Sequence, residues 1–388
     1  MRIAFFSEVY WPMVSGVART LERTVAALTA RGHAVRVYTA TYPLPAGTPD
    51  LPEVHRSPSR PLFLSPEVQW AFPRQHELQA DLAAFAPDVV HCLTEFSLGR
   101  AGARAARALG VPLVASAHTD YESYAGRYGL DLLVGPGWHY LRRFYQDARI
   151  VLAPGRMYEA RLHQRGVHHT GIWSRGVDTA EFHPRFRSDA WRARFGVGRD
   201  DVLITCVGRL APEKSVPLLL DAWERVSRRH PGAHLVFVGR GAMEGAIRGR
   251  ALPRLHLAGL LRGTALATAY ASSDLFVQPS ATETFGNVLL EAMASGVASV
   301  SVGAGGVLDF ALDRHNTLLV PPGDPAALAA TLAAAIADPE LRRPLQSAGL
   351  ATARARGWNP VIDQLLEDYT RVIGSAPPAH PARSAHAA

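Results

Sequence analysis

Cysteine is almost absent: two occur in 388 residues, Cys92 and Cys206, each inside an apolar run (VVHCLT and LITCVG). Two distant thiols build neither a disulfide framework nor a zinc site, so both read as buried thiols in a reducing compartment. Long hydrophobic runs are missing as well. The longest uncharged stretch lies between Glu291 and Asp309 and is broken by glycines, so nothing matches the ~20 apolar residues of a membrane span. MRIAFFSEVYWP opens on a short apolar run, but Glu8 follows it without a small-residue cleavage site, and it reads as a first strand rather than a signal peptide. These absences lead us to expect a cytoplasmic protein, peripheral to a membrane at most. No Asp-x-Asp pair and no G-x-G-x-x-G fingerprint occurs. An acidic excess is lacking too: 41 Lys and Arg against 34 Asp and Glu give a net charge of +7. That balance favours an anionic partner, whether nucleic acid, anionic lipid or a phosphate-bearing substrate, and composition does not choose among them.

What is present is an ordinary globular composition, 48% hydrophobic and 19% charged over 388 residues. Such a length holds two domains of ~150 residues, each with its own core. Short β-rich apolar runs alternate with helical patterns throughout. The first half predicts strands over 3–7, 34–40, 89–94, 111–118 and 150–153, with helices over 18–31, 75–85 and 101–109 between them. The second half predicts strands over 202–208, 234–239, 255–258, 275–278, 298–302 and 318–320. These runs are apolar throughout instead of alternating, the pattern of parallel strands covered on both faces. Its repetition predicts two doubly wound α/β domains in tandem. The seam is expected near residue 171, where a helix over 155–165 has ended and HHTGIWSRGVD lacks a helical period. A first domain then covers 1–170, a second 171–357, a helix spans 358–374, and a low-complexity tail over 375–388 is expected to be disordered. Residues 41–74 read as one long proline-rich connection bearing Phe63, Trp70 and Phe72. A loop of that length in a compact domain is usually functional.

The stretch ATETFGNVLLEAMASG carries the most chemistry. Glu283 and Glu291 stand eight residues apart, with Thr284, Phe285 and Gly286 where the 275–278 strand turns into a helix and Gly296 as its stop. At ~1.5 Å per residue the two carboxylates lie roughly 10 Å apart along the axis. The amides at the helix start face an anion. That arrangement suits a sugar diphosphate, with one carboxylate on sugar hydroxyls, amides on phosphate and the other carboxylate on a ribose diol. Taken alone, the spacing favours an ordinary helix with a solvated Glu at each end. The stretch GRLAPEKSVPLLLDAW places Arg209 and Lys214 after the 202–208 strand, at the sheet edge where open α/β folds bind ligands. Two cations there neutralise a diphosphate and its departing charge, unless they form a surface charge pair with Glu213. Ser15-Gly16 precedes the first helix, and a glycine there admits a phosphate close to the backbone. His118, beside Asp120, ends the 111–118 strand, either as a ligand contact or as a histidine packed on the sheet.

Taken in order, Ser15-Gly16, His118, GRLAPEKS and ETFGNVLLEAMASG resemble family 4 glycosyltransferases of the GT-B fold, over residues 1–373. The segments SAHTDYESYAGRYG, SRGVDTAEFHP and EAMASG are similar to the bacterial lipid-directed branch. That branch includes GDP-mannose-dependent α-mannosyltransferases and sulfoquinovosyl- and glucosyl-diacylglycerol synthases. The resemblance implies an α/β fold of GT-B type: two Rossmann-like domains facing across a cleft, the first binding acceptor and the second nucleotide sugar. The 358–374 helix would cross back to the first domain. It also implies roles. Gly16 lies under the donor diphosphate, and His118 touches the donor sugar beside the anomeric centre. Arg209 and Lys214 bind the diphosphate and stabilise the departing nucleotide. Glu283 holds sugar hydroxyls, with Thr284 and the amides of Phe285 and Gly286 beside it, and Glu291 binds the ribose. Ser15 departs from the family's usual glycine pair, Val307 from its proline, and Asn316 from its glycine, which touches loop geometry rather than reaction class.

The implied reaction retains anomeric configuration. With no Asp-x-Asp, no metal or other cofactor is expected, and Arg209 and Lys214 supply the charge instead. The partners expected are a nucleotide-sugar donor, most simply GDP-mannose, and a glycolipid or lipid-linked acceptor, on a monomer or weak dimer. Arg100, Arg104 and Arg107 share one helical face, and WHYLRRFYQDARI interleaves Arg142 and Arg143 with aromatics. Basic residues among aromatics suit an anionic membrane surface, and they also fit a solvated basic face over ordinary core aromatics. Acceptor and membrane contacts are therefore expected from Phe63, Trp70, Asp120, Tyr124, Arg142 and Arg143, docking the first domain on the inner face of the cytoplasmic membrane. Nucleic acid is not expected as a partner, since no helix-turn-helix, zinc finger or RNA-binding signature accompanies the charge. The alternatives are a UDP-glucose or UDP-sulfoquinovose donor used on diacylglycerol, and a binding protein that senses nucleotide sugar. A dehydrogenase is disfavoured by the missing glycine fingerprint.

Overall fold

The computed structural model describes residues 1–13, 15–44, 53–62, 65–122 and 129–375. Fifteen strands form among these residues. The first nine are β1 (Arg2–Ser7), β2 (Ala34–Ala40), β3 (Val54–Ser57), β4 (Ser59–Leu62), β5 (Ser65–Ala71), β6 (Val89–Cys92), β7 (Leu113–Ser116), β8 (Ile150–Ala153) and β9 (Thr170–Ile172). The remaining six are β10 (Val202–Val207), β11 (Ala233–Val238), β12 (Leu255–Gly259), β13 (Leu275–Gln278), β14 (Ala298–Val302) and β15 (Leu318–Val320). A seven-stranded sheet runs in the order β3-β2-β1-β6-β7-β8-β9, and a six-stranded one in the order β12-β11-β10-β13-β14-β15. Every pairing within these two sheets is parallel. Each sheet is packed with helices on both faces, so in β10 Ile204 enters one core and Leu203 the other. That two-sided burial is why its sequence, VLITCV, is apolar at nearly every position. Cys92 and Cys206 are buried free thiols.

Three differences from the sequence expectation stand out. Residues 41–74 are not one connection: Val54–Ser57 joins the sheet beside β2, and β4 and β5 pair as an antiparallel hairpin. The sequence VHRS is half-buried rather than apolar, as an edge strand with one neighbour permits. The other edge, β9, pairs with β8 through Ile172, so the first sheet reaches beyond the expected seam at 170. The third helix begins at Ser97 rather than 101. Its Gly102 packs on the Phe6 ring of β1 and its Gly99 on the Thr94 carbonyl, neither with room for a Cβ, so the two glycines in that helix reflect close packing and not a late start.

The chain ends by returning. Helix Trp358–Gly374 buries Ile362, Leu365, Tyr369 and Val372 against Ile3, Phe5 and Leu21 of the first domain. Tyr369 Oη and His91 Nδ1 are 2.7 Å apart, and Arg31 pairs with Asp363. Among the described residues no helix is long and apolar enough to cross a membrane. The tail beyond 375 lies outside the described residues.

Candidate active site

Two helix starts meet across the cleft. Ser15 caps the first helix, Gly16–Ala30, accepting from the Ala18 amide at 3.1 Å. A Cβ on Gly16 would lie 3.4 Å from Asn287 Nδ2. Asn287 is the first residue of helix Asn287–Ala294, which has no side-chain cap and begins at Gly286 with φ of 101°. A side chain at Gly286 would be strained by that φ and would strike Val307 Cγ1 at 2.6 Å, so Val307, where the family often has proline, still closes on the glycine. A helix start without a side-chain cap at Gly286, facing the Ser15-capped start at Gly16, makes this seam favourable for an anion.

The cations flank it. Pro212–Lys214 forms a 3-10 turn after β10, and Ser215 ends it at φ of 53°. The turn is held to the next loop because Thr282 Oγ1 donates to the Glu213 carbonyl at 3.0 Å. Arg209 pairs with the fully buried Glu213 at 2.6 Å, so the alternative of an Arg209–Glu213 charge pair does form, but between a half-exposed guanidinium and a buried carboxylate rather than between two surface side chains. Lys214 Nζ donates to Glu283 Oε1 at 2.6 Å. The sequence therefore placed Lys214 and Glu283 in one site from residues 69 apart. The Phe285 side chain is buried against Phe310, 5.2 Å between centroids, leaving only its backbone for a ligand, while Thr284 is half-buried on the same loop.

Glu291 is buried inside the seam. Its Oε1 accepts from Arg19 Nη1 at 3.0 Å and its Oε2 from Tyr270 at 2.9 Å. Burial raises its carboxyl above the usual range, and Arg19 offsets part of that. His118 is buried at the end of β7, with Arg175 donating to its Nδ1 and no partner at Nε2 among the described residues. The acceptor role of Nδ1 leaves the ring proton on Nε2. Burial, then the Arg175 charge, hold the imidazole well below its ordinary pKa, so it is neutral. Burial likewise lowers the Arg175 guanidinium to about 9. Arg19, Arg175 and Tyr270 were not foreseen. The one available signal was Arg19, three residues after Gly16 on the same helical face.

Asp120 is buried and paired with Arg161. Trp70 is 38% exposed on the β4–β5 hairpin, with its ring 5.7 Å from that of Phe96. Arg142 and Arg143 face outward on helix Val134–Tyr145. None of these three surface residues joins the cleft constellation. Phe63 and Tyr124 lie outside the described residues. Asn316, where the family often has glycine, is buried and bonds the Leu312 amide, the Phe310 carbonyl and Thr352 Oγ1, which ties down its loop. Among the described residues no three His, Cys, Asp or Glu side chains converge as metal ligands.

Two facing Rossmann-like domains, with a lysine–glutamate pair and paired helix starts in the seam, define the GT-B class of glycosyltransferases. The comparisons agree. The family described as "Glycosyltransferase Family 4" matches residues 14–181, and the one described as "Glycosyl transferases group 1" matches 201–338. The chain is 36% identical over 382 residues to the GDP-mannose-dependent alpha-mannosyltransferase of Mycolicibacterium smegmatis, covering 96% of this chain and 98% of that protein. It is 25% identical to the alpha-monoglucosyldiacylglycerol synthase of Streptococcus pneumoniae, over 95% of this chain and 86% of that one. Its fold matches sucrose-phosphate synthase from Thermosynechococcus elongatus with a TM-score of 0.78, at 20% identity and over 97% and 100% of the two chains. The chain belongs to glycosyltransferase family 4 and is a glycosyltransferase.

Proposed function

We propose that this glycosyltransferase moves mannose from GDP-mannose to a glycolipid or lipid-linked acceptor, with retention and without a metal ion. The observation that carries this reading is the Lys214–Glu283 pair beside the Gly16 and Gly286 helix starts. It offers, within one seam, a cation and amides for the diphosphate and a carboxylate for sugar hydroxyls. The choice of donor is supported by the mannosyltransferase relative at 36% identity. In this mechanism the acceptor hydroxyl attacks the anomeric carbon on the face the phosphate leaves. The leaving phosphate oxygen takes the hydroxyl proton. Arg209, Lys214 and the helix amides neutralise the developing charge, the work a metal does elsewhere. His118 Nε2–H donates to a sugar oxygen beside the reacting carbon, and Glu291 exchanges Arg19 for the ribose diol.

A UDP-glucose donor used on diacylglycerol is the second reading, favoured by the glucosyldiacylglycerol synthase relative. A nucleotide-sugar sensor is the non-enzymatic alternative, and turnover of the donor in a transfer assay would exclude it. The test is transfer from radiolabelled GDP-mannose and UDP-glucose to a lipid extract, with a thermal-shift panel of the nucleotides. Ligand at 100-fold over its Kd stabilises by ~2.7 kcal/mol, a readable shift. Lys214→Ala and Glu283→Ala should each lower kcat at least ~100-fold by removing transition-state contacts. Near-normal turnover in either variant defeats the assignment.

A further inference from the structure

The strand order of the second sheet reverses between β10 and β13, and such a switch point is where open α/β sheets leave a crevice. A pocket there is lined by Cys206, Arg209, Lys214, Gln278, Ser280 and Glu283. Gln278 is the last residue of β13 and only 3% exposed. Neither its Oε1 nor its Nε2 has a hydrogen-bond partner among the described residues. A buried amide with donor and acceptor both unmatched weakens a fold, and native interiors rarely keep one without a use. The polar groups around the pocket are committed to one another: Lys214 to Glu283 at 2.6 Å, Arg209 to Glu213 at 2.6 Å, and Ser280 to the Glu213 carbonyl at 3.4 Å. The amide is thus idle in a pocket where Arg209, Lys214 and Glu283 serve the proposed reaction.

We propose that Gln278 recognises the transferred sugar, its Oε1 accepting from one ring hydroxyl and its Nε2 donating to the neighbouring one. This rests on the nucleotide-sugar reading above. A hydroxyl donates and accepts, so a vicinal diol matches both halves of the amide together, whereas a phosphate oxygen accepts only and leaves Oε1 unmatched. The charges around it divide the ligand the same way. The donor's phosphates draw Lys214 off Glu283, which turns to further hydroxyls, and the neutral amide lines the same pocket. An epimer with one hydroxyl displaced leaves half of the buried amide unpaired. Gln278 is therefore a specificity-determining residue for the hexose.

Isothermal titration tests this, with GDP-mannose and UDP-glucose as probes and GDP and UDP as sugar-free controls, on the full chain and on Gln278→Met and Gln278→Leu. Both variants should melt at or above the wild-type temperature, since each replaces an unmatched amide by an apolar group. Free-nucleotide affinity should stay within about twofold, while affinity for the nucleotide sugar falls about tenfold from the lost hydroxyl contacts. Unchanged nucleotide-sugar affinity in both variants, or an equal loss for the free nucleotide, overturns the role of Gln278. A wild-type protein that binds none of the four ligands overturns the donor reading on which it rests. That failure is distinct, because it appears before any variant is made.

Discussion

Glu95 is a carboxylate the transferase reaction does not use, and its surroundings set a pH dependence. It is buried, its Oε2 accepting from Tyr121 at 2.7 Å and its Oε1 from Tyr145 at 2.6 Å, and among the described residues no cation is paired with it. Burial pushes its pKa up to about 7, the tyrosine hydroxyls opposing part of that rise. The folded protein therefore holds this proton up to about pH 7, while the unfolded chain releases it near pH 4.5. Between those values the native state binds more protons, so stability falls as pH rises. Gln mimics the protonated side chain. The melting temperature of Glu95→Gln, less that of the wild type, should grow between pH 5 and pH 8; a difference flat in pH would refute the assignment. Such buried groups were hidden in the sequence for the same reason as Arg19 and Arg175. Arg19 meets Glu291 across 272 positions and Arg175 meets His118 across 57. Lys214 and Glu283 were legible because each sits in a motif that, taken in order with the others, resembles those of family 4 glycosyltransferases. Arg19 sits in an unremarkable helical stretch, and its partner is decided only when two domains close.

Elements show the same division between local pattern and tertiary pairing. Both-face-buried strands such as β10 and β13 announce themselves by unbroken apolar sequence. The edges β3 and β9 do not, because VHRS and TGI are only half-buried and satisfy one side of a ladder. Helix Arg156–Gln164 shows what packing adds. Its N-cap, Gly155, supplies no side-chain bond. Asp309, from the 3-10 turn Gly305–Asp309 of the second domain, accepts from the Met157 amide at 3.2 Å instead. The cap of a first-domain helix is thus supplied across the cleft, and Gly155 is small enough to let Asp309 reach it. Asp309→Ala should cost about 1 kcal/mol of stability, the usual value of a lost N-cap. It should also loosen closure, raising donor KM several-fold with kcat little changed, and the radius of gyration in solution scattering should increase. Asp309→Asn keeps an acceptor and should restore most of the donor KM. If Asp309→Ala leaves both KM and radius unchanged, the contact plays no part in closure.

For the whole molecule, the remaining question is where the excess positive charge points. Seven net charges over 388 residues exceed what Arg209 and Lys214 need for one diphosphate. Arg100, Arg104, Arg142 and Arg143 are exposed on two first-domain helices, although Arg149 is spent on the Val372 carbonyl, where it holds the returning helix. Exposed apolar side chains lie beside them. Leu132 is 94% exposed and Leu133 57%, on the short turn Asp131–Leu133 that leads into the helix bearing Arg142 and Arg143. Leucines at a helix entrance with arginines along its outer face match an interface of acyl chains under anionic headgroups. Each basic residue near such a surface contributes about 1 kcal/mol, and the attraction is screened beyond about 8 Å at physiological salt. Flotation with vesicles containing anionic lipid should therefore capture the protein at moderate salt and release most of it at high salt. The Leu132→Asp, Leu133→Asp double variant should lower capture about tenfold, since it removes apolar burial and adds like-signed repulsion. Its melting temperature should be unchanged, because neither leucine packs on the core. Equal capture of wild type and variant would remove the two leucines from the interface. Failure of the wild type to float at moderate salt would assign the charge to some other anion, so that the proposed lipid acceptor would have to reach the cleft without docking of this face.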